Sequence, residues 1–313
     1  MSAAVLRCGR ARVAVEADDA LLDTLTAACH PWITSSPADH APPGIWAVHV
    51  GPSIAGEAVP SHTGTAVYLG ADQRTLHLPA SSGCVRPLVR LLRALIRRQL
   101  AADGAIFLDA AVLTVNGTGV ALLGGAGAGK TTTLIATLHR HPGALVANDD
   151  ASLHAGAGSR VIARGYPRAI EVRREVLPHL TDAAGLLTAA AETDSPKRAL
   201  YLTPHRLAAA LGTALAETAK LSALILLAHG TARPEAHRLT AEAAASAVAA
   251  HCAVADPYES WLQPYLPTPA PGAEQGLALA QAVPVWRLAQ PLTALATSAD
   301  LIADLPLRPG GSR

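Results

Sequence analysis

Along the first eighty residues, short runs of alternating apolar and polar positions are separated by breaks rich in Pro and Gly. RARVAVEA, IWAVHVG and TAVYLG each read as a strand, and SSPADHAPPG as a loop. No chemical constellation stands out there, and the pattern predicts a small accessory α/β region. The period then changes. In VRPLVRLLRALIRRQLA, residues 85–101, Leu88, Leu91, Leu92 and Leu95 share one face of a helix, while Arg90, Arg93, Arg97 and Arg98 largely line the others. Arginine tolerates helices well, and its stem covers apolar surface while its head stays wet. These four side chains are therefore expected on a solvated face.

Further on, AAVLTV and GVALLG are apolar runs separated by Asn116-Gly117-Thr118. Asn and Gly both accept positive φ, so this spacing predicts a β-hairpin whose second arm feeds the next segment. TTLIATLHRH reads as a helix ended by Pro142-Gly143, and ALVANDDASLH as strand, two aspartates and more strand. VIARGYPRAIEV is strand and turn, and residues 173–220 are expected to be mostly helical. SALILLAH is a buried strand, LTAEAAASAVAAHC a helix, YLPTPAPGAEQG a loop and AVPVWRLA a late strand. The fold class is α/β, with an accessory region over 1–100 and a nucleotide-binding domain over 101–313.

Composition narrows the function. Half of the 313 residues are hydrophobic, enough for a sizeable core, and the formal net charge is +1. That balance argues against a strongly basic nucleic-acid binder and against an acidic tail. The four cysteines, Cys8, Cys29, Cys84 and Cys252, lie far apart without a CxxC, which disfavours a zinc site or a disulfide framework. The N-terminal residues lack the apolar core of a signal peptide. The most apolar region, LAAALGTALAETAKLSALILLAHG, is broken by Glu217 and Lys220. The expectation is a cytoplasmic protein with neither nucleic acid nor membrane as partner.

The candidate chemistry begins at GGAGAGKTTT, residues 124–133. Gly124, Gly125, Ala126, Gly127, Ala128 and Gly129 give up side chains, so successive backbone N–H groups can turn toward a phosphate. The helix that follows adds the positive end of its dipole. In a G-x-x-x-x-G-K-[ST] pattern Lys130 reaches the β- and γ-phosphates and the Thr131 hydroxyl ligates Mg²⁺. Thr132 continues the loop into the helix. A Gly- and Ala-rich chain can match by chance, but an apolar strand before the loop and a helix after it favour a nucleotide site.

The acidic partner lies near. SALILLAH ends in His229, whereas LVANDDAS carries Asp149 and Asp150 one helix after the loop. Two adjacent carboxylates after a buried strand cannot both enter a core cheaply. One suits Mg²⁺ and the other suits taking a proton from an incoming hydroxyl, and the residues leave open which does which. Taken alone, Asn-Asp-Asp would also suit a surface turn.

A β-hairpin, GxxxxGKT, one helix and an apolar strand ending in paired aspartates resembles the HPr kinase/phosphorylase family, whose type of core is shared with phosphoenolpyruvate carboxykinases. Arg164-Gly165-Tyr166-Pro167-Arg168 resembles a segment of HPr-kinase-related proteins from bacterial peptide-modifying gene clusters, and the resemblance spans about residues 104–175. It implies an ATP- and Mg²⁺-dependent kinase whose acceptor is a hydroxyl, by analogy a serine, on a peptide, protein or small molecule. It also implies a homo-oligomer, since true HPr kinases form hexamers. Three departures point to a related kinase with another acceptor. Leu108-Asp109-Ala110 stands where the family often has Leu-His-Ala, Ile162 stands where it has a metal-binding glutamate, and the threonine triplet replaces its usual serine. Glu171 lies further on from the glutamate position.

Among the remaining candidates, Arg168 is placed to stabilise charge on the transferring phosphate, with Arg164, Arg173 and Arg174 nearby. Surface ion pairs with Glu171 or Glu175 would also explain these arginines. His154 and His229 are weighed as acid/base groups, and Lys197, Arg198 and Arg206 as a polar helical cover for the acceptor. Two other function classes remain. One is a nucleotide-binding module that hydrolyses ATP slowly or not at all. The other is a carboxykinase-like enzyme, whose additional Lys/His ligands and arginine-lined pocket cannot be located in the chain.

Overall fold

Asn116 and Gly117 both take positive φ, +50° and +77°, and the strands they join, Ala110–Val115 and Thr118–Leu123, pair antiparallel with Val115 opposite Thr118. That is the backbone a two-residue hairpin turn of the primed type requires. The computed structural model describes residues 1–52, 54–81, 83–156, 160–192, 198–230 and 233–305. The chain divides into two compact units. One comprises Met1–Ala105 with Val254–Ala270, and the other Ile106–Ala253 with Pro271–Arg313.

In the second unit, eleven strands join in one mixed sheet among the described residues. Its centre is Thr218–His229, a twelve-residue strand. Thr118–Leu123 runs parallel to one side of it. On the other side its start pairs antiparallel with Arg160–Arg164, and its end pairs parallel with Val285–Gln290. Three parallel strands therefore finish at the same edge, at Leu123, His229 and Gln290. The carboxyl ends of such strands are where open α/β sheets place ligands.

Alternation sorts the side chains of these strands between two faces. Val120, Leu122, Ala223, Ile225 and Leu227 pack with Leu134, Ile135 and Leu138 of the helix Lys130–Arg140 and with Ala299 and Ile302 of the helix Leu295–Asp304. Ala121, Leu123 and Leu224 pack with Ala244 and Val248 of the helix Ala241–Ala249 and with Leu279 of the helix Ala273–Ala282. Both faces are covered, which is why these strands read as continuous apolar runs. Each fully buried Leu or Ile contributes about 2 kcal/mol.

The stretch 173–220 is less helical than its alanine content suggests. Ile170–Arg173 pairs antiparallel with Ala199–Leu202, and the helices are Thr181–Ala190 and Pro204–Leu211. Thr203 caps the latter and Pro204 starts it, a local signal strong enough to set that boundary. Arg198 sits in a turn rather than a helix, and Arg206 donates to the carbonyls of Ala190 and Ala191 at 3.4 Å. Lys197 lies outside the described residues.

The first unit holds a seven-stranded sheet with the helices Asp19–Cys29 and Val85–Ala102. The arginine face of the second helix departs from expectation. Arg90 is exposed, but Arg97 and Arg98 are 3% and 2% exposed. Arg98 donates to Gln263 Oε1 at 2.8 Å, to the Leu266 carbonyl at 3.0 Å and to the Glu259 carbonyl at 3.1 Å. The late segment 254–270 thus encloses a guanidinium whose five donors can satisfy several carbonyls at once.

Candidate functional site

The strand Thr118–Leu123 ends directly in the glycine loop, and the helix Lys130–Arg140 starts directly after it. Gly127 and Gly129 take φ of +82° and +94°, where a side chain is strained. At Gly124 a Cβ would lie 2.6 Å from the Cβ of Ala128, so the two limbs of the loop approach too closely for any larger residue. Ala128 N–H donates back to the Gly125 carbonyl at 3.0 Å, and Gly125 itself has open space around it. Ala126 continues the same turn.

Lys130 is 9% exposed, yet its ammonium is held by oxygen. Nζ donates to the Gly124 carbonyl at 2.6 Å and lies 3.1 Å from Asp109 Oδ1 and 3.8 Å from Asp149 Oδ1. Asp149 has φ +78°. Aspartate enters this left-handed region more readily than most residues, and a non-glycine there is worth a functional question. Arg168 joins the two aspartates, with Nη2 2.7 Å from Asp149 Oδ2 and Nη1 donating to Asp150 Oδ2. Burial pushes the Asp149 carboxyl above its ordinary value of 3.8. Arg168 opposes that rise, Asp109 adds to it, Lys130 opposes it and Asp150 adds to it.

The structure therefore brings together Lys130, Asp149, Asp150 and Arg168 beside the loop. Thr131 donates to Asn148 Oδ1 at 3.1 Å, one residue before the aspartates. Thr132 and Thr133 are 6% and 0% exposed on the loop helix. Among the described residues no group of three or more His, Cys, Asp or Glu is arranged to hold a metal ion. Mg²⁺ does not require one, because it keeps several waters and combines one or two carboxylates with substrate phosphates. The Thr131 hydroxyl and an Asp149 or Asp150 carboxylate are hard oxygen donors of the kind that fits it.

Other candidates are placed elsewhere or in other networks. His229 is exposed at its strand end. His154 Nε2 lies 3.0 Å from Ser152 Oγ, which accepts from Tyr166 Oη at 2.7 Å, a polar link between the strand after the aspartates and the segment bearing Arg168. Arg164 pairs with Glu217, and Arg173 lies 3.4 Å from Glu175. Glu171 is exposed and accepts from Tyr201 Oη at 3.1 Å.

Three residues join the site that the sequence reading did not assign to it. Asp109 is the partner of Lys130, and its N–H donates to the His251 carbonyl at 3.1 Å. Asn148 accepts from Thr131. Gln290, 3% exposed, donates from Nε2 to Thr133 Oγ1 at 2.6 Å. Asp109 was visible as a departure in the strand ahead of the loop, and Asn148 as the first member of Asn-Asp-Asp. Nothing in the sequence around Gln290 signals this contact.

No protein-family model matches the chain, and no curated protein does. Among solved structures, the Hpr(Ser) kinase/phosphatase from Coxiella burnetii is similar at 12% identity over 63% of this chain and 93% of that chain, with a TM-score of 0.31. A likeness of that size carries no argument, and the chemistry rests on the residues described above. Among the described residues, no helix is long and apolar enough to cross a membrane.

Proposed function

We propose that the chain is an ATP-dependent phosphotransferase that moves the γ-phosphate to a hydroxyl, by family resemblance a serine, of a peptide, protein or small molecule. The observation that supports this most is the grouping of a loop lysine, two aspartates and an arginine at one strand edge, with Lys130 Nζ 3.8 Å from Asp149 Oδ1. Lys130 and the loop N–H groups bind the phosphates, and the helix terminus adds its dipole. Thr131 and one of the two aspartates would hold Mg²⁺, which when bound neutralises phosphate charge. The other aspartate takes the acceptor proton. The acceptor oxygen bonds to the γ-phosphorus, the bond from that phosphorus to the β,γ-bridging oxygen breaks, and ADP leaves with the electron pair. Arg168 orients both carboxylates and stabilises the charge that develops on the phosphoryl oxygens.

The expected behaviour is acceptor-dependent turnover that Asp149→Asn or Asp150→Asn abolishes while ATP binding persists. Full turnover in both variants would sink the assignment. A second reading, a nucleotide-binding module with slow or absent hydrolysis, is favoured by one observation. Arg168 engages both carboxylates at once, leaving neither without a cation beside it. Binding without acceptor-dependent turnover would support that reading.

A further inference from the structure

Gln290 closes the strand Val285–Gln290, the third of the parallel strands that end at the loop. Its backbone carbonyl accepts from Gly230 N–H at 2.9 Å, which fixes the strand end. Its side chain turns to the loop. Nε2 donates to Thr133 Oγ1 at 2.6 Å and lies 3.6 Å from where a Cβ on Gly129 would stand. Gly129, at φ +94°, converts loop into helix, and its carbonyl accepts from Thr133 N–H at 2.8 Å. The amide therefore lies against both ends of the turn Gly129–Thr133, which carries Lys130 and Thr131.

The other half of the same amide is unsatisfied. Oε1 is buried and has no hydrogen-bond partner among the described residues. Native structures leave few such groups, because an unpaired buried acceptor loses its hydration without replacement. A leucine would fill similar space without that deficit. Thr133 could then turn its hydroxyl back to the carbonyl of Gly129, as helical threonines do. Packing alone does not call for glutamine at this position, whereas its contact with the loop gives it a use.

We infer that Gln290 is a positioning residue for nucleotide binding: its amide holds the Gly129–Thr133 turn so that Lys130 and Thr131 present in register to a phosphate. This rests on the proposed nucleotide site. Gln290→Leu and Gln290→Met each remove the hydrogen bond while keeping the volume, and Thr133→Val removes it from the other side.

The test measures thermal unfolding and MgATP affinity by calorimetry for the full chain, the three variants and the double variant Gln290→Leu/Thr133→Val. The expected result is an unchanged or raised Tm for the Gln290 variants with MgATP affinity about tenfold weaker, the scale of one hydrogen bond to a positioned group. The double variant is expected to be no weaker than the worse single variant, since both act on one contact. A MgATP affinity within twofold of the unaltered protein overturns the inference. So does a Tm that falls in both Gln290 variants, which would make the amide structural. If the unaltered protein itself fails to bind MgATP, the nucleotide site falls and this inference with it. Equal binding by all forms removes this inference alone.

Discussion

Lys130 Nζ lies 2.6 Å from the Gly124 carbonyl oxygen and 3.1 Å from Asp109 Oδ1, so the loop lysine is already held by its own loop and by the residue just before the hairpin's first strand. A phosphate must draw Lys130 away from Asp109 or share it. Asp109→Asn removes the competing charge and one negative neighbour of the phosphates. MgATP is expected to bind about fivefold more tightly, the effect of roughly 1 kcal/mol for a pair whose carboxylate is 43% exposed. Calorimetric titration measures this directly, and weaker binding by the variant would contradict it.

Arg168 contacts Asp149 and Asp150 through different guanidinium nitrogens. A lysine offers one point charge and cannot span two carboxylates in a fixed plane. Arg168→Lys is expected to lower kcat by about a hundredfold, within the range for losing one preorganised charge partner, while changing MgATP affinity only a few-fold. Steady-state kinetics with a saturating acceptor separate the two, and a variant with unchanged kcat would remove Arg168 from the chemistry.

The hairpin turn is a matter of folding rather than catalysis. Gly117 sits at φ +77° with open space around it, so alanine there meets backbone strain but no clash. Gly117→Ala is expected to lower stability by about 1–2 kcal/mol and leave MgATP affinity unchanged. Denaturant unfolding and calorimetry on the same sample check both halves.

His251 responds to pH through its surroundings. Burial holds its imidazole below the ordinary value of 6.5, Asp109 works against that shift and Lys130 adds to it. The folded protein therefore takes up this proton less readily than the unfolded chain. The stability tied to neutral His251 is complete above pH 6.5 and is lost as pH falls through the lower folded value. His251→Gln is expected to flatten that part of a Tm–pH curve. His77 in the first unit is lowered chiefly by burial too, so the variant's difference from the unaltered protein is what counts. Parallel curves for the two proteins would contradict the account.

The elements legible in the sequence were those with strong local chemistry. Asn116-Gly117 dictates its turn, the glycine loop sits between an apolar strand and a helix, and Asn148-Asp149-Asp150 ends a buried strand. Parts that depend on distant segments were not legible. By helical period Arg97 lies opposite the leucine stripe, whereas Arg98, three residues after Leu95 and seven after Leu91, borders it, and the oxygens that enclose its guanidinium come from the distant residues 254–270. The pairing of Ile170–Arg173 with Ala199–Leu202 was hidden because the alanine-rich stretch between them favours helix by propensity. Gln290 reaches Thr133 across 157 residues, and one glutamine at the end of an apolar strand carries no pattern.

The most direct test of the central claim follows the γ-phosphate of labelled ATP with Mg²⁺, in purified protein given desalted host extract or a peptide encoded by a neighbouring gene. Lys130→Ala serves as control. The account predicts label on a hydroxyl of an acceptor, lost in the control. Label that stays in ATP or appears only as free phosphate, with acceptor present, would contradict a phosphotransferase and leave a nucleotide-binding module in its place.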